Sequence, residues 1–172
     1  MEEAGDAERG DSGGFAEDRL TAWHEAGHAV SYLLHGRTPR YVTLRPRSPV
    51  GRTAMRPHRS ELSTVAVIAH AGPLAQARYT LTMYNHDTLH LEGLTRDDLV
   101  LGAYLHGGHD DMAIIKTARQ AYGLPARRSD PWSTTAELLV DEHWPAIDRV
   151  ARALLAHRTL TGAQITEIAD SA

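Results

Sequence analysis

One stretch of eight residues constrains this chain more than any other: residues 23–30 read Trp-His-Glu-Ala-Gly-His-Ala-Val. Its histidines, His24 and His28, stand four residues apart, so on an α-helix both imidazoles project from the same face. Two ring nitrogens at that spacing can reach a single ion at about 2.0–2.1 Å, the usual zinc–nitrogen distance. Glu25 would then lie beside the open coordination position, where it can act as general base. The stretch predicts the metal-binding helix of a zinc hydrolase.

The residues around the two histidines favour a buried helix, because Ala22, Ala26 and Ala29 carry no charge. Gly27 is unusual inside a helix, where glycine costs about 1 kcal/mol relative to alanine. It predicts that another segment packs very close to the helix between the two histidines. The alternative interpretation is an ordinary amphipathic helix with two histidines, on which Glu25 is a solvated surface charge.

Composition limits the chemistry of such a site. The chain has 172 residues, which fits one domain, and no cysteine, so an ion must be held by His, Asp, Glu or water. The formal net charge of −4 gives no overall attraction to nucleic acid or to an anionic membrane. No run approaches the roughly 20 apolar residues that cross a bilayer, and the start does not read as a signal peptide. We therefore expect a cytoplasmic protein with no membrane or nucleic-acid partner.

The order of patterns predicts a mainly α domain with a small β hairpin or sheet. Residues 1–18 are rich in Asp and Glu and are expected to form a disordered leader, followed by a single domain over 19–172. A helix is predicted over 17–34, ending at His35-Gly36. Residues 40–55 have strand character, and Pro46 and Pro49 favour an edge strand or a hairpin. Residues 37–59 contain seven arginines and no acidic residue, which suits a basic rim for acidic or extended peptide or a solvated hairpin face. A nucleic-acid patch is a weaker alternative, because lysine and interleaved aromatic residues are scarce.

The second half of the chain is predicted to be helical. Residues 61–84 read as one or two buried helices, interrupted near Pro73, and 85–108 read as a looser segment. A helix is expected over 109–122, followed by helices over 134–143, 145–157 and 162–169. His86 and His90 repeat the four-residue spacing without a glutamate beside the first histidine, and we interpret them as loop or surface residues.

A zinc site needs at least three protein ligands, and the spacing of residues alone does not identify the third. Asp110 and Asp111 open a predicted helix, where an aspartate is commonly a cap, so one can cap the helix while the other binds metal. Glutamates on other segments remain alternatives, namely Glu61, Glu92, Glu137 and Glu142.

Several blocks, taken in order, resemble the peptidase domain of the FtsH family of ATP-dependent zinc proteases. Residues 24–29 resemble the zinc-binding helix of that family, residues 42–53 the strand that follows it, and residues 71–76 a helix of small residues. The family usually has Glu where this chain has Gln76. Residues 108–112 resemble the glycine-rich turn that ends in Asn-Asp-Leu. The resemblance implies a zincin-like peptidase fold and assigns the third zinc ligand to Asp111, or to Asp110 if the alignment shifts by one residue.

The sequence shows no glycine-rich phosphate loop of the Walker type, and we expect neither an ATPase module nor a membrane anchor. We therefore expect a stand-alone, ATP-independent zinc metallopeptidase that hydrolyses unfolded or flexible polypeptides. His24, His28 and Asp111 hold Zn²⁺, Glu25 is the general base, and the strand at residues 42–44 holds substrate as an added strand. Family members form hexameric rings, so a homo-oligomer or an ATPase partner in trans stays open. The alternative is a catalytically inactive protein with the protease fold, acting as a binding or scaffold protein.

Overall fold

Helices dominate the computed structural model, which describes residues 12–44, 51–54, 61–83, 93–125 and 130–171. Its helices are α1 (Ser12–Leu34), α2 (Leu62–Met83), α3 (Arg96–His106), α4 (His109–Ala121), α5 (Pro131–Glu142), α6 (Trp144–His157) and α7 (Gly162–Asp170). Among the described residues, three short strands, β1 (Tyr41–Leu44), β2 (Gly51–Ala54) and β3 (Thr159–Thr161), form one antiparallel sheet in the order β2-β1-β3. The prediction of a mainly α fold with a small β component is confirmed. None of the helices within these ranges combines the length and the apolar character that a membrane span needs.

The centre of the fold is the packing of α1 against α2. Both helices carry small residues at the contact, including Ala22, Ala26, Ala71 and Ala75, each fully buried. Gly27 marks the closest approach, because a Cβ at this position would lie 2.5 Å from the carbonyl oxygen of Ala71. The prediction that another segment packs tightly between the two histidines is therefore confirmed. The short distance between the backbones allows polar groups of α2 to reach side chains of α1.

Helix α2 is continuous from Leu62 to Met83, and Pro73 lies inside it. The predicted interruption near Pro73 is therefore wrong. A proline inside a helix costs about 3 kcal/mol, because it removes one backbone hydrogen bond and crowds the preceding turn. Burial on both sides of the proline compensates, since residues 66–77 are buried throughout. Tertiary packing therefore overrides the local preference to break the helix.

The predicted hairpin is confirmed, but its first strand lies in the middle of the sheet. Strand β1 pairs with β2 along one edge and with β3 along the other, where Val42 lies opposite Leu160. Its backbone hydrogen-bonding groups are therefore used on both sides, and the expectation that residues 42–44 accept an added strand is wrong. The prolines at 46 and 49 lie outside the described residues. Strand β3 was not predicted, because three residues between two helices give too short an alternating pattern.

Two predicted boundaries also change. Helix α1 begins at Ser12, inside the segment that was expected to be disordered, and the Asp18 carboxylate forms an ion pair with Arg158. Residues 1–11 lie outside the described residues, as do His86, His90 and Glu92. Helix α3 lies in the segment that was expected to be loose. Its capping box, in which Thr95 and Asp98 satisfy each other's backbone N–H groups, was readable in the sequence.

The remaining helices follow the predicted pattern. Helices α4, α5, α6 and α7 lie within a few residues of their predicted bounds. Ile147, Leu154 and Ile165 on the inner side of the closing helices are fully buried, whereas Leu138 is 65% exposed.

Candidate metal centre

Three buried side chains from two helices converge at one point. His24 and His28 come from the middle of α1, and Asp111 comes from the first turn of α4. The two Nε2 atoms lie 3.1 Å apart. Oδ2 of Asp111 is 3.2 Å from Nε2 of His24, and Oδ1 is 3.3 Å from Nε2 of His28. Within the described ranges, these three residues form the group of potential metal ligands that the structure brings together.

The separations between these atoms fit a tetrahedral zinc site. Four ligands about 2.0–2.1 Å from an ion at the centre of a tetrahedron lie about 3.3–3.4 Å from one another. The 3.1 Å between the two Nε2 atoms, and the 3.2 and 3.3 Å from each of them to a different oxygen of Asp111, are close to that value, and one ligand atom from each residue lies within 4.8 Å of the others. Two imidazoles and one carboxylate are also the kind of ligand set that a catalytic zinc site uses, with the fourth position left for water.

Hydrogen bonds from α2 fix the orientation of both imidazole rings. Nδ1 of His28 donates to the carbonyl oxygen of Ile68 at 2.8 Å, and Nδ1 of His24 lies 3.0 Å from Oε1 of Gln76. Because these oxygens only accept, the proton of each neutral ring is on Nδ1, and the Nε2 lone pair is free for a cation. Gln76 thus supplies an acceptor without adding a negative charge.

Glycine at position 72 makes room for one of these rings. A Cβ on Gly72 would lie 2.4 Å from Nε2 of His28 and 2.5 Å from its Cε1. The ring therefore lies directly against the α2 backbone, which leaves no space for any side chain at this position.

The turn before α4 selects which aspartate faces the histidines. Gly107 lies close to the Gln76–His24 pair. A Cβ added to this glycine would lie 3.6 Å from Oε1 of Gln76 and 3.8 Å from the His24 ring. Helix α4 then starts, and Asp111 is 8% exposed whereas Asp110 is exposed to solvent. The N-terminal turn of a helix favours a negative charge, so this position suits a buried carboxylate.

Glu25 is 7% exposed and is held by the sheet. The hydroxyl of Thr53 on β2 donates to Oε2 of Glu25 at 2.7 Å and also lies 3.1 Å from the Glu25 backbone carbonyl oxygen. Oε1 of Glu25 lies outside this hydrogen bond. Thr53 was not predicted as a site residue, because its role depends on where the hairpin folds back on α1.

The other candidates from the sequence lie elsewhere. Glu61 and Glu142 are exposed, and Glu137 forms an ion pair with Arg96. His109, the first residue of α4, is also exposed.

Charge interactions shift the protonation of the metal-free cluster. Burial opposes protonation of His28, but the charge and hydrogen bond of Asp111, the charge of Glu25 and the Ile68 carbonyl outweigh it and raise the pKa of His28 to about 9. Burial likewise opposes ionisation of Asp111, but the charge and the hydrogen bond of His28 hold the pKa of Asp111 well below its usual range. Without metal, the cluster is therefore an imidazolium–carboxylate pair at neutral pH.

Zinc binding should consequently release about one proton at pH 7.5, because Nε2 of His28 must lose its proton before it can bind a cation. The apparent affinity should rise roughly tenfold per pH unit up to about pH 9. Calorimetric titrations in two buffers with different ionisation enthalpies measure the released proton. A heat of binding that is independent of the buffer would contradict the imidazolium–carboxylate pair.

The raised pKa of His28 also means that this pair stabilises the metal-free fold fully below pH 6.5 and that the stabilisation is lost as the pH rises through about 9.

Comparison with models of known protein families gives no match, and comparison with curated proteins gives none either. The resemblance to FtsH peptidases stays a prediction from the motif residues.

Proposed function

We propose that the protein is a zinc-dependent peptidase that cleaves unfolded or flexible polypeptides. The proposal is supported above all by the convergence of three buried side chains: Nε2 of His24 and Nε2 of His28 lie 3.1 Å apart, and each lies within 3.3 Å of one oxygen of the Asp111 carboxylate. Both Nδ1 atoms are engaged elsewhere, and a buried glutamate follows the first histidine. This is the arrangement that metal-assisted hydrolysis requires.

Zinc, when bound, would supply Lewis acidity that lowers the pKa of water and polarises a substrate carbonyl. Glu25 accepts the proton of the attacking water and delivers it to the leaving amine. The hydrogen bond from Thr53 to Oε2 holds the carboxylate in place, so that its other oxygen is available for the proton. The hydrogen bonds that the two Nδ1–H groups donate to Ile68 and Gln76 keep the ring protons away from the ligand nitrogens.

Strand β2 is a better candidate than β1 for holding an extended substrate, because β1 is paired on both sides. It lies at the edge of the sheet, so the N–H and C=O groups on its outer side can pair with a peptide. Thr53 on this strand touches Glu25, so a peptide added to β2 would lie close to the general base. Backbone pairing of this kind selects extended, unfolded chain rather than a particular sequence.

The experiment is a cleavage assay on casein and on unstructured fluorogenic peptides, with zinc-loaded protein, with a chelator and after zinc is restored. We expect turnover that the chelator removes and zinc recovers. Bound zinc in one-to-one stoichiometry without cleavage of any unfolded substrate would contradict the proposal and favour the inactive scaffold alternative.

A further inference from the structure

A second buried polar cluster lies outside the metal centre and joins four helices. Nδ1 of His70 on α2 is 2.5 Å from the hydroxyl of Tyr104 on α3, and Nε2 of His70 is 3.1 Å from Oδ1 of Asp130. Asp130 caps α5 by accepting from the Ser133 backbone N–H at 2.9 Å. Its other oxygen accepts from Arg119 of α4, also at 2.9 Å. The mechanism described above uses none of these side chains.

The protonation of the cluster follows from burial. His70 is 6% exposed, and this burial outweighs the attraction of Asp130 and lowers the pKa of His70, so its ring is neutral at pH 7. Burial and the nearby carboxylates raise the pKa of Tyr104, so its hydroxyl keeps its proton and donates to Nδ1. The ring proton is then on Nε2, next to the Asp130 carboxylate. That contact is within ion-pair distance but is not a well-directed hydrogen bond.

The cluster connects to the metal centre through the helices that carry its members. Helix α2 supplies the acceptors that orient His24 and His28, and it also carries His70. Tyr104 lies at the end of α3, just before the turn that leads to Asp111, and a Cβ on Gly108 in that turn would lie 3.2 Å from the Tyr104 backbone. Arg119 lies on α4 itself, eight residues after Asp111, or about 12 Å along the helix axis.

We infer that His70 is a positioning residue for the third ligand: through Tyr104 on one side and through Asp130 and Arg119 on the other, it holds α4 so that Asp111 faces the two histidines. Helix α2 orients the two histidine ligands and, through His70, also holds the segments before and after Asp111 in place. This inference rests on the proposed metal site.

The test compares His70→Leu with His70→Gln, because a glutamine can both accept from Tyr104 and donate to Asp130 whereas leucine can do neither. Each variant is titrated with Co²⁺, whose visible absorption reports the number and geometry of its ligands. We expect His70→Leu to weaken Co²⁺ binding by about 10- to 100-fold and to change the absorption spectrum, and His70→Gln to recover most of the loss. Tyr104→Phe, which removes only the hydroxyl, should give a smaller loss in the same direction and provides a second variant should His70→Leu fail to fold.

Two controls separate positioning from general destabilisation. Asp18→Asn removes the distant ion pair with Arg158 and should leave Co²⁺ affinity unchanged. In an Asp111→Asn background, His70→Leu should cause little further loss, because the residue through which it acts is already changed. Folded His70→Leu and Tyr104→Phe proteins with wild-type affinity and spectrum would overturn this inference alone. A wild-type protein that binds no Co²⁺ would overturn the proposed function as well.

Discussion

Glu25→Gln should abolish peptide hydrolysis while metal binding survives. A glutamine cannot take a proton from water at neutral pH, so kcat/KM should fall by about 10²- to 10⁴-fold, the usual contribution of a general base. The side chain keeps its size, and its carbonyl oxygen can still accept from Thr53, so the α1 backbone and both histidines should stay in place. Initial rates on an unstructured fluorogenic peptide, together with the zinc content of the same sample, measure both effects.

The matched control is Glu142→Gln, the same chemical change at an exposed position at the end of α5. It should leave both turnover and zinc content unchanged. Normal turnover in Glu25→Gln would refute the general-base role, and loss of zinc along with activity would show that Glu25 acts on the metal instead.

Gly72→Ala should remove most of the metal affinity although it replaces none of the ligand residues. The new methyl group would lie 2.4 Å from Nε2 of His28, far inside van der Waals contact, so the ring must swing away from the point it shares with His24. Loss of a ligand should cost more than loss of an outer hydrogen-bond partner, so we expect zinc affinity to fall at least about 100-fold. Competition titration against a fluorescent zinc chelator measures the change.

Gly102→Ala in α3 is the matched control, because a Cβ at this position would have no atom of the described residues within 4 Å, apart from those of its chain neighbours and its own helix backbone. That variant should bind zinc like the wild type and gain about 0.5–1 kcal/mol of stability from the better helix former. A folded Gly72→Ala protein with unchanged zinc affinity would contradict the placement of the His28 ring against α2.

The part of the site that is local in sequence could be predicted from sequence. The four-residue spacing of His24 and His28 matches the helical repeat, so their common face follows from α1 alone. Gly27 signalled a close helix contact in the same way. The partner that makes this contact could not be named, since it lies more than 40 residues away on α2.

The contributions from distant segments could not be read from the residues alone. Asp111 was one of several acidic candidates, and it was the resemblance to FtsH peptidases that singled it out. Thr53 approaches Glu25 because the hairpin folds back on α1, and His70 meets Asp130 because α2 and α5 pack together. Contacts of this kind are determined by tertiary packing, which leaves no periodic pattern in the sequence. Tertiary packing also overrides the helix-breaking preference of Pro73, because α2 continues through the proline.

Anomalous diffraction at the zinc absorption edge, from crystals of protein purified with zinc, tests the central claim most directly. We expect one strong peak about 2.0–2.2 Å from Nε2 of His24, Nε2 of His28 and a carboxylate oxygen of Asp111. No peak at this point, or a peak whose carboxylate ligand is Asp110 or a glutamate, would contradict it.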